Sequence, residues 1–128
     1  MDRKKEARLK KDLVLWFCSV GGDSRPHVTL VWYLWDGESF LVYSVPGRKT
    51  RDIERNPNVA LHLNSDAEGA EMIRVSGEAR IVSRDKPASI GTAYKRKYQR
   101  SLEALGYSWD QFAGEYNVTI RIKPERSS

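Results

Sequence analysis

The chain has 128 residues and a formal charge of +5, enough for one ordinary domain with a real core but too little to enclose a large ligand alone. Forty per cent apolar residues with four Trp and six Tyr exclude disorder, and no apolar run approaches the roughly 20 residues of a membrane span. The charged opening MDRKKEARLKKD reads against a signal peptide, which makes the cytoplasm the expected compartment.

Residues 2 to 11 read as a short amphipathic helix. LVLWFCSV follows as a strand ended by the turn GGDSRP, and its lone Cys18 reads as core rather than as a reactive thiol. HVTLVWYLW and SFLVYSV flank Asp36-Gly37, which predicts an antiparallel hairpin closed by a two-residue loop. Thr50 is a candidate cap for a helix through RDIERN, which Pro57 must stop. NVALHLNS is a fourth strand, and MIRVSGEARIVS a long fifth one with a bulge or bend at Gly77.

Pro87 opens a predicted helix ASIGTAYKRKYQRSLEAL, with Ile90, Ala93, Tyr94, Tyr98, Leu102 and Leu105 at helical spacing and Lys95, Arg96 and Lys97 on the solvated face. Ser108 caps a short helix in SWDQFAGEY, and NVTIRIKP alternates as a sixth strand. The sum is a mainly β, six-stranded antiparallel barrel or highly curved sheet with peripheral helices, spanning residues 1–128 as a single domain. His27 and His62 lie outside any cluster with metal-ligand spacing, so no metal site is readable.

RPHVTLVWYLWDGESFLVYSVPGRKTRDIERNPNVALHL, followed by RVSGEARIV, resembles the flavin and deazaflavin split-barrel family typified by pyridoxamine 5'-phosphate oxidase, and within it the branch of actinobacterial F420-dependent enzymes. The resemblance covers residues 13 to 83 well and the rest loosely. It implies that Arg48 and Lys49, with Arg51 beside them, grip the cofactor's phosphate at a helix start, where cations and free N–H groups favour anions. It also implies that the hydroxyls of Tyr43 and Ser44 face the cofactor's tail, and that Thr29, Leu30, Val31 and Trp32 wall its ring. Plain core packing is the alternative reading of the apolar wall, and a solvated charge run that of the cations.

Trp32 stands where the oxidases place a lysine that reaches substrate and cofactor, and RIKPERSS replaces their Arg-x-His substrate clamp, which argues against pyridoxamine phosphate as substrate. Met72 replaces a flavin-binding glutamine, which favours coenzyme F420 over the alternative, FMN. The resemblance thus implies an F420-dependent homodimer that transfers hydride to a small organic acceptor, the chemistry belonging to the cofactor, with no catalytic side chain named. Tyr94, Tyr98, Tyr107 and Trp109 are either core or the substrate side. A cofactor carrier without turnover would use the same residues. A nucleic-acid-binding barrel using YKRKYQR is the rival from another class, disfavoured because Tyr94 and Tyr98 share the apolar helix face.

Overall fold

The computed structural model describes residues 3 to 125. In chain order the elements are α1 (Arg3–Lys11), β1 (Leu15–Val20), β2 (Pro26–Val31), β3 (Leu34–Trp35), β4 (Phe40–Ser44), α2 (Arg48–Arg55), β5 (Asn58–His62), β6 (Arg74–Ser83), α3 (Thr92–Ala104), α4 (Trp109–Glu115) and β7 (Val118–Pro124). All seven strands form one sheet in the order β2-β1-β5-β6-β7-β4-β3, and every pairing is antiparallel. The strand count is therefore seven rather than six.

The extra strand comes from a break in HVTLVWYLW. Its first part, β2, pairs with β1, and its last two residues, β3, pair with β4 at the opposite edge. Only Trp32 and Tyr33 join those edges. Three Cα steps span about 11 Å, whereas the edges of a flat seven-stranded sheet would lie about 29 Å apart. The sheet must curl until its edges almost meet, which is the split barrel.

Alternation fixes which face lies inside. Leu15 and Phe17, Val59 and Leu61, Val75 and Ala79, and Val118, Ile120 and Ile122 point into one core with Leu9 of α1 and Ile53 of α2. β4 is buried along its whole length: Phe40 and Val42 enter the barrel, while Leu41 and Tyr43 face a second, aromatic layer under α3 and α4. That layer gathers Tyr94, Tyr98, Leu102 and Phe112, with Trp32, Tyr107, Trp109 and Tyr116 packed against it.

Several boundaries differ from expectation. The β3–β4 connection runs from Asp36 to Ser39, with Gly37 at φ +96° and the Asp36 carboxylate accepting from the amides of Glu38 and Ser39. Gly37-Glu38 is therefore the loop tip, closed by the Asp36 amide donating to the Ser39 carbonyl, rather than Asp36-Gly37. α2 begins at Arg48 with Gly47 as its flanking residue. Thr50 sits three positions in, its hydroxyl accepting from the Gly47 amide at 3.0 Å and donating to the Gly47 carbonyl at 2.8 Å. Asn56 is extended ahead of Pro57, as a residue before proline prefers.

Gly77 lies in continuous register. A Cβ there would stand 2.6 Å from the Lys123 carbonyl oxygen, so close strand approach explains the residue, and the register shift falls between Ile81 and Ser83. α3 starts at Thr92, not after Pro87, because residues 88 to 91 are held against the layer: the Ala88 amide donates to Ala113, and the Tyr43 hydroxyl bonds Ser89 and Gly91. Ser108 caps α4 as expected, exchanging bonds with Gln111. Among the described residues no helix is long and apolar enough to cross a membrane.

Candidate cofactor cleft

Where the barrel splits, the ends of β2 and β4 and the aromatic layer enclose a cleft of about 210 Å³, lined by Leu30, Val31, Trp32, Tyr43, Lys49, Tyr94, Leu105, Tyr107, Phe112 and Tyr116. Its wall is a pile of rings. Trp32 stacks on Tyr98 at 4.5 Å and 6° and on Phe112 at 5.9 Å, and Phe112 stacks on Tyr116 at 4.5 Å and 9°. Flat aromatic faces with one cation at the rim suit a planar conjugated ring bearing an anionic substituent.

Lys49 supplies that cation. Its Nζ stands 5.8 Å from the Phe17 ring centroid and donates to Ser44 Oγ at 3.4 Å; burial lowers its pKa, as low-dielectric surroundings disfavour an ammonium. An incoming anion would relieve that cost.

The expected residues separate into groups. Leu30, Val31, Trp32, Tyr43 and Lys49 meet at the cleft. The two hydroxyls do not point a free donor at it: Tyr43 donates to the Ser89 carbonyl and accepts from the Gly91 amide, while Ser44 is buried and donates to the Val45 carbonyl at 2.8 Å. Arg48 and Arg51 line a different groove, of about 250 Å³, with Gly21, Gly22, Asp23, His27, Asp52 and Arg55.

The separation follows from helix geometry. A helix beginning at Arg48 sets neighbours about 100° apart, so Arg48, Arg51 and Arg55 form one stripe and Lys49 turns away from it. Adjacent cations that would converge in a loop diverge on a helix. Arg55 and His27 were not anticipated; the spacing of Arg48, Arg51 and Arg55 was the available signal for the first.

Cleft and groove share one strand. On β2, Val31, Thr29 and His27 pair with Leu15, Phe17 and Ser19, so all three lean to the same side in steps of about 7 Å. Val31 lines the cleft and His27 the groove, and exposed Thr29 lies between them. His27 Nδ1 lies 2.8 Å from Asp52 Oδ2, which also accepts from Ser19 at 2.9 Å. Burial pushes this carboxyl up, but those bonds outweigh it and hold its pKa below the ordinary value.

Of the aromatic candidates, Tyr94 and Tyr107 line the cleft, Tyr98 is buried behind Trp32, and Trp109 packs edge-on against Tyr94 and Phe112. Tyr94 and Tyr98 are fully buried and offer no stacking platform to nucleic acid. Met72 precedes β6, largely exposed and away from the cleft lining. Lys97 is not on the solvated face: its Nζ donates to the Tyr33 carbonyl at 3.0 Å and lies 4.0 Å from the Tyr33 ring centroid.

A curled antiparallel sheet, split at one seam and covered there by an aromatic layer, defines the class as a split β-barrel with peripheral helices. The pyridoxamine 5'-phosphate oxidase family model matches residues 1–126, and the chain belongs to that family. Among solved structures it is similar to an F420 reductase at 21% identity and TM-score 0.73, covering 98% of this chain and 97% of that one. It is also similar to HutZ, the heme storage protein of Vibrio cholerae, at 22% identity and TM-score 0.65, covering 97% and 89%. A FAD-binding protein of Mesorhizobium loti, at 19% identity and TM-score 0.65, covers 96% and 87%. These likenesses share the fold. No curated protein matches the sequence.

Proposed function

We propose that the protein is a homodimeric F420H2-dependent reductase of the cytoplasm, its whole chain one cofactor-binding domain, passing hydride to a small organic acceptor. The observation that carries this is the ring-lined cleft with the desolvated Lys49 at its rim. Leu30 to Trp32 support the deazaflavin ring, and Lys49 holds the first anionic group of the tail. Thr29 lies along the tail's path toward Arg48 and Arg51, whose groove suits further phosphate or carboxylate charge. The bound cofactor supplies the hydride; the chain binds it, orients it and excludes water.

Two features support a second copy. The cleft is smaller than the about 300 to 1,000 Å³ of ordinary small-molecule sites, and Leu30 on its wall is 49% exposed. Beside it, the outer face of β2, β1 and β5 carries Val28, Leu30, Trp16, Cys18 and Ala60 in register, an apolar surface on an edge strand that a two-fold partner would cover.

Separate titrations with F420 and FMN test the reading. Tighter F420 binding, weakened by salt as screened cationic contacts require, together with oxidation of F420H2 by candidate acceptors, supports it. Tighter FMN binding reassigns the cofactor, binding without turnover makes the protein a carrier, and a monomer at micromolar concentration that still binds tightly overturns the shared cleft.

A further inference from the structure

The two residues at the barrel seam, Trp32 and Tyr33, lie outside both ladders, so the peptide groups of Tyr33 have no strand to pair with. α3 meets them. The Tyr98 hydroxyl accepts from the Tyr33 amide at 2.8 Å, and it lies 2.8 Å from both the Tyr33 carbonyl and the Leu13 carbonyl. It has only one proton to give. Lys97 Nζ, donating to the Tyr33 carbonyl at 3.0 Å, satisfies that oxygen and frees the Tyr98 proton for Leu13, where the chain enters β1. The same ammonium lies over the rings of Tyr33 and Tyr98, at 4.0 and 5.3 Å from their centroids. The ring of Tyr98, in turn, is the surface on which the indole of Trp32 lies flat.

We propose that Lys97 and Tyr98 are positioning residues that clamp the Trp32–Tyr33 seam and thereby fix the indole wall of the ligand cleft. Two consecutive residues of one helix hold the amide and the carbonyl of Tyr33 and the face of the Trp32 indole. The cleft wall is therefore set from behind, by groups outside its lining. The consequence for ligand binding rests on the reading of the cleft given above; the clamp itself does not.

The clamp is sensitive to proton concentration. Burial pulls the Lys97 ammonium down to about 8, with the Asp12 carboxylate opposing it. The groups facing it are Asp12, the phenols of Tyr33 and Tyr98, and the Tyr33 carbonyl, and both phenols are pushed well above their ordinary value by burial. Burial is the leading cause, so the clamped amine holds its proton less tightly than a released one, and loss of that proton relieves the desolvation of the clamped position.

Amide exchange on the ligand-free protein tests the clamp, read as the rate at Tyr33 divided by that at Ile120 in the barrel core, so that base catalysis cancels and global destabilisation, which speeds Ile120 at least as much, does not raise the ratio. Tyr98→Phe, which keeps the stacked ring, should raise the ratio about five- to tenfold. Lys97→Met, which removes the donor to the Tyr33 carbonyl, should raise the ratio as well. FMN or F420, whichever binds, should lose about three- to tenfold in affinity in Lys97→Met, with Lys95→Met as the unchanged control. A Tyr33 ratio equal to the parent's in both Tyr98→Phe and Lys97→Met would overturn the clamp. If neither cofactor binds the parent, the proposed function fails while the exchange ratios still decide the clamp.

Discussion

The two sides of β4 face different kinds of interior. Inward, Phe40 and Val42 join a core closed by Ile120 and Ile122 across the ladder. Outward, Leu41 and Tyr43 meet rings carried by α3 and α4. Branched aliphatic chains, packed around the rings of Phe17, Tyr33, Trp35 and Phe40, fill the barrel and leave little for a ligand. Stiff aromatic plates stack and tile, and where the tiling stops they leave a flat-walled cleft. On the proposed function the barrel serves stability and the aromatic layer binding, and mutations on the two sides should separate the properties.

The largest effect belongs to the barrel. Ile120→Ala, at a fully buried position, should cost about 2–5 kcal/mol of stability in denaturant unfolding. Its effect on the intrinsic affinity of molecules that remain folded should be small. A loss under 1 kcal/mol would mean that the curled sheet is loosely packed.

At the cleft, the expected pattern reverses. Lys49→Ala should weaken cofactor binding by about 1 to 3 kcal/mol through loss of a charge-assisted contact. It should leave folding intact or slightly improved, because the ammonium is held there against its desolvation. Melting temperature without ligand and a binding isotherm check the two halves.

A pH effect links the two sides. The folded-state pKa of Lys97 is about 8, against an ordinary 10.5, so between those values the unfolded chain holds the proton that the folded chain has released. Stability should rise with pH through that window. Tyr33, Tyr94 and Tyr98 have raised pKa values from burial and act oppositely, their contribution being lost as pH climbs above about 10. The parent should therefore show a stability maximum between about pH 9 and 10, and Lys97→Met should flatten the ascending limb to the part that Lys49, lowered by its own burial, contributes, which melting temperatures at stepped pH will reveal.

The smallest effect belongs to the exposed rim. Leu105 lines the cleft but is 64% exposed, and Leu105→Ala should change stability by no more than about 0.5 kcal/mol. A larger loss would contradict the exposed placement of this rim residue.

The barrel was legible in the sequence because alternation records burial: NVTIRIKP and NVALHLNS became β7 and β5, and Ser108 and Pro57 marked real helix ends. The break at Trp32–Tyr33 was hidden because LVWYLW runs across it without a polar punctuation, and residues buried by different partners on either side of a seam read as one strand. The divergence of Arg48 from Lys49 was hidden behind the helix start, displaced by three residues because Thr50 acts from the third helical position while a glycine flanks the end. Lys97 misled for another reason. It continues the cationic run of Lys95 and Arg96 in the sequence, and only the seam, a tertiary feature, draws its amine inward.

The central claim is that position, not net charge, makes Lys49 the anion-binding residue of the cleft. Equilibrium titration of coenzyme F420 into the parent, Lys49→Ala and Lys95→Ala, at one ionic strength, tests it most directly, since both variants lose one positive charge but Lys95 is exposed on α3. The account predicts a Kd raised about 5- to 150-fold in Lys49→Ala alone. Equal, small losses in both variants would contradict it.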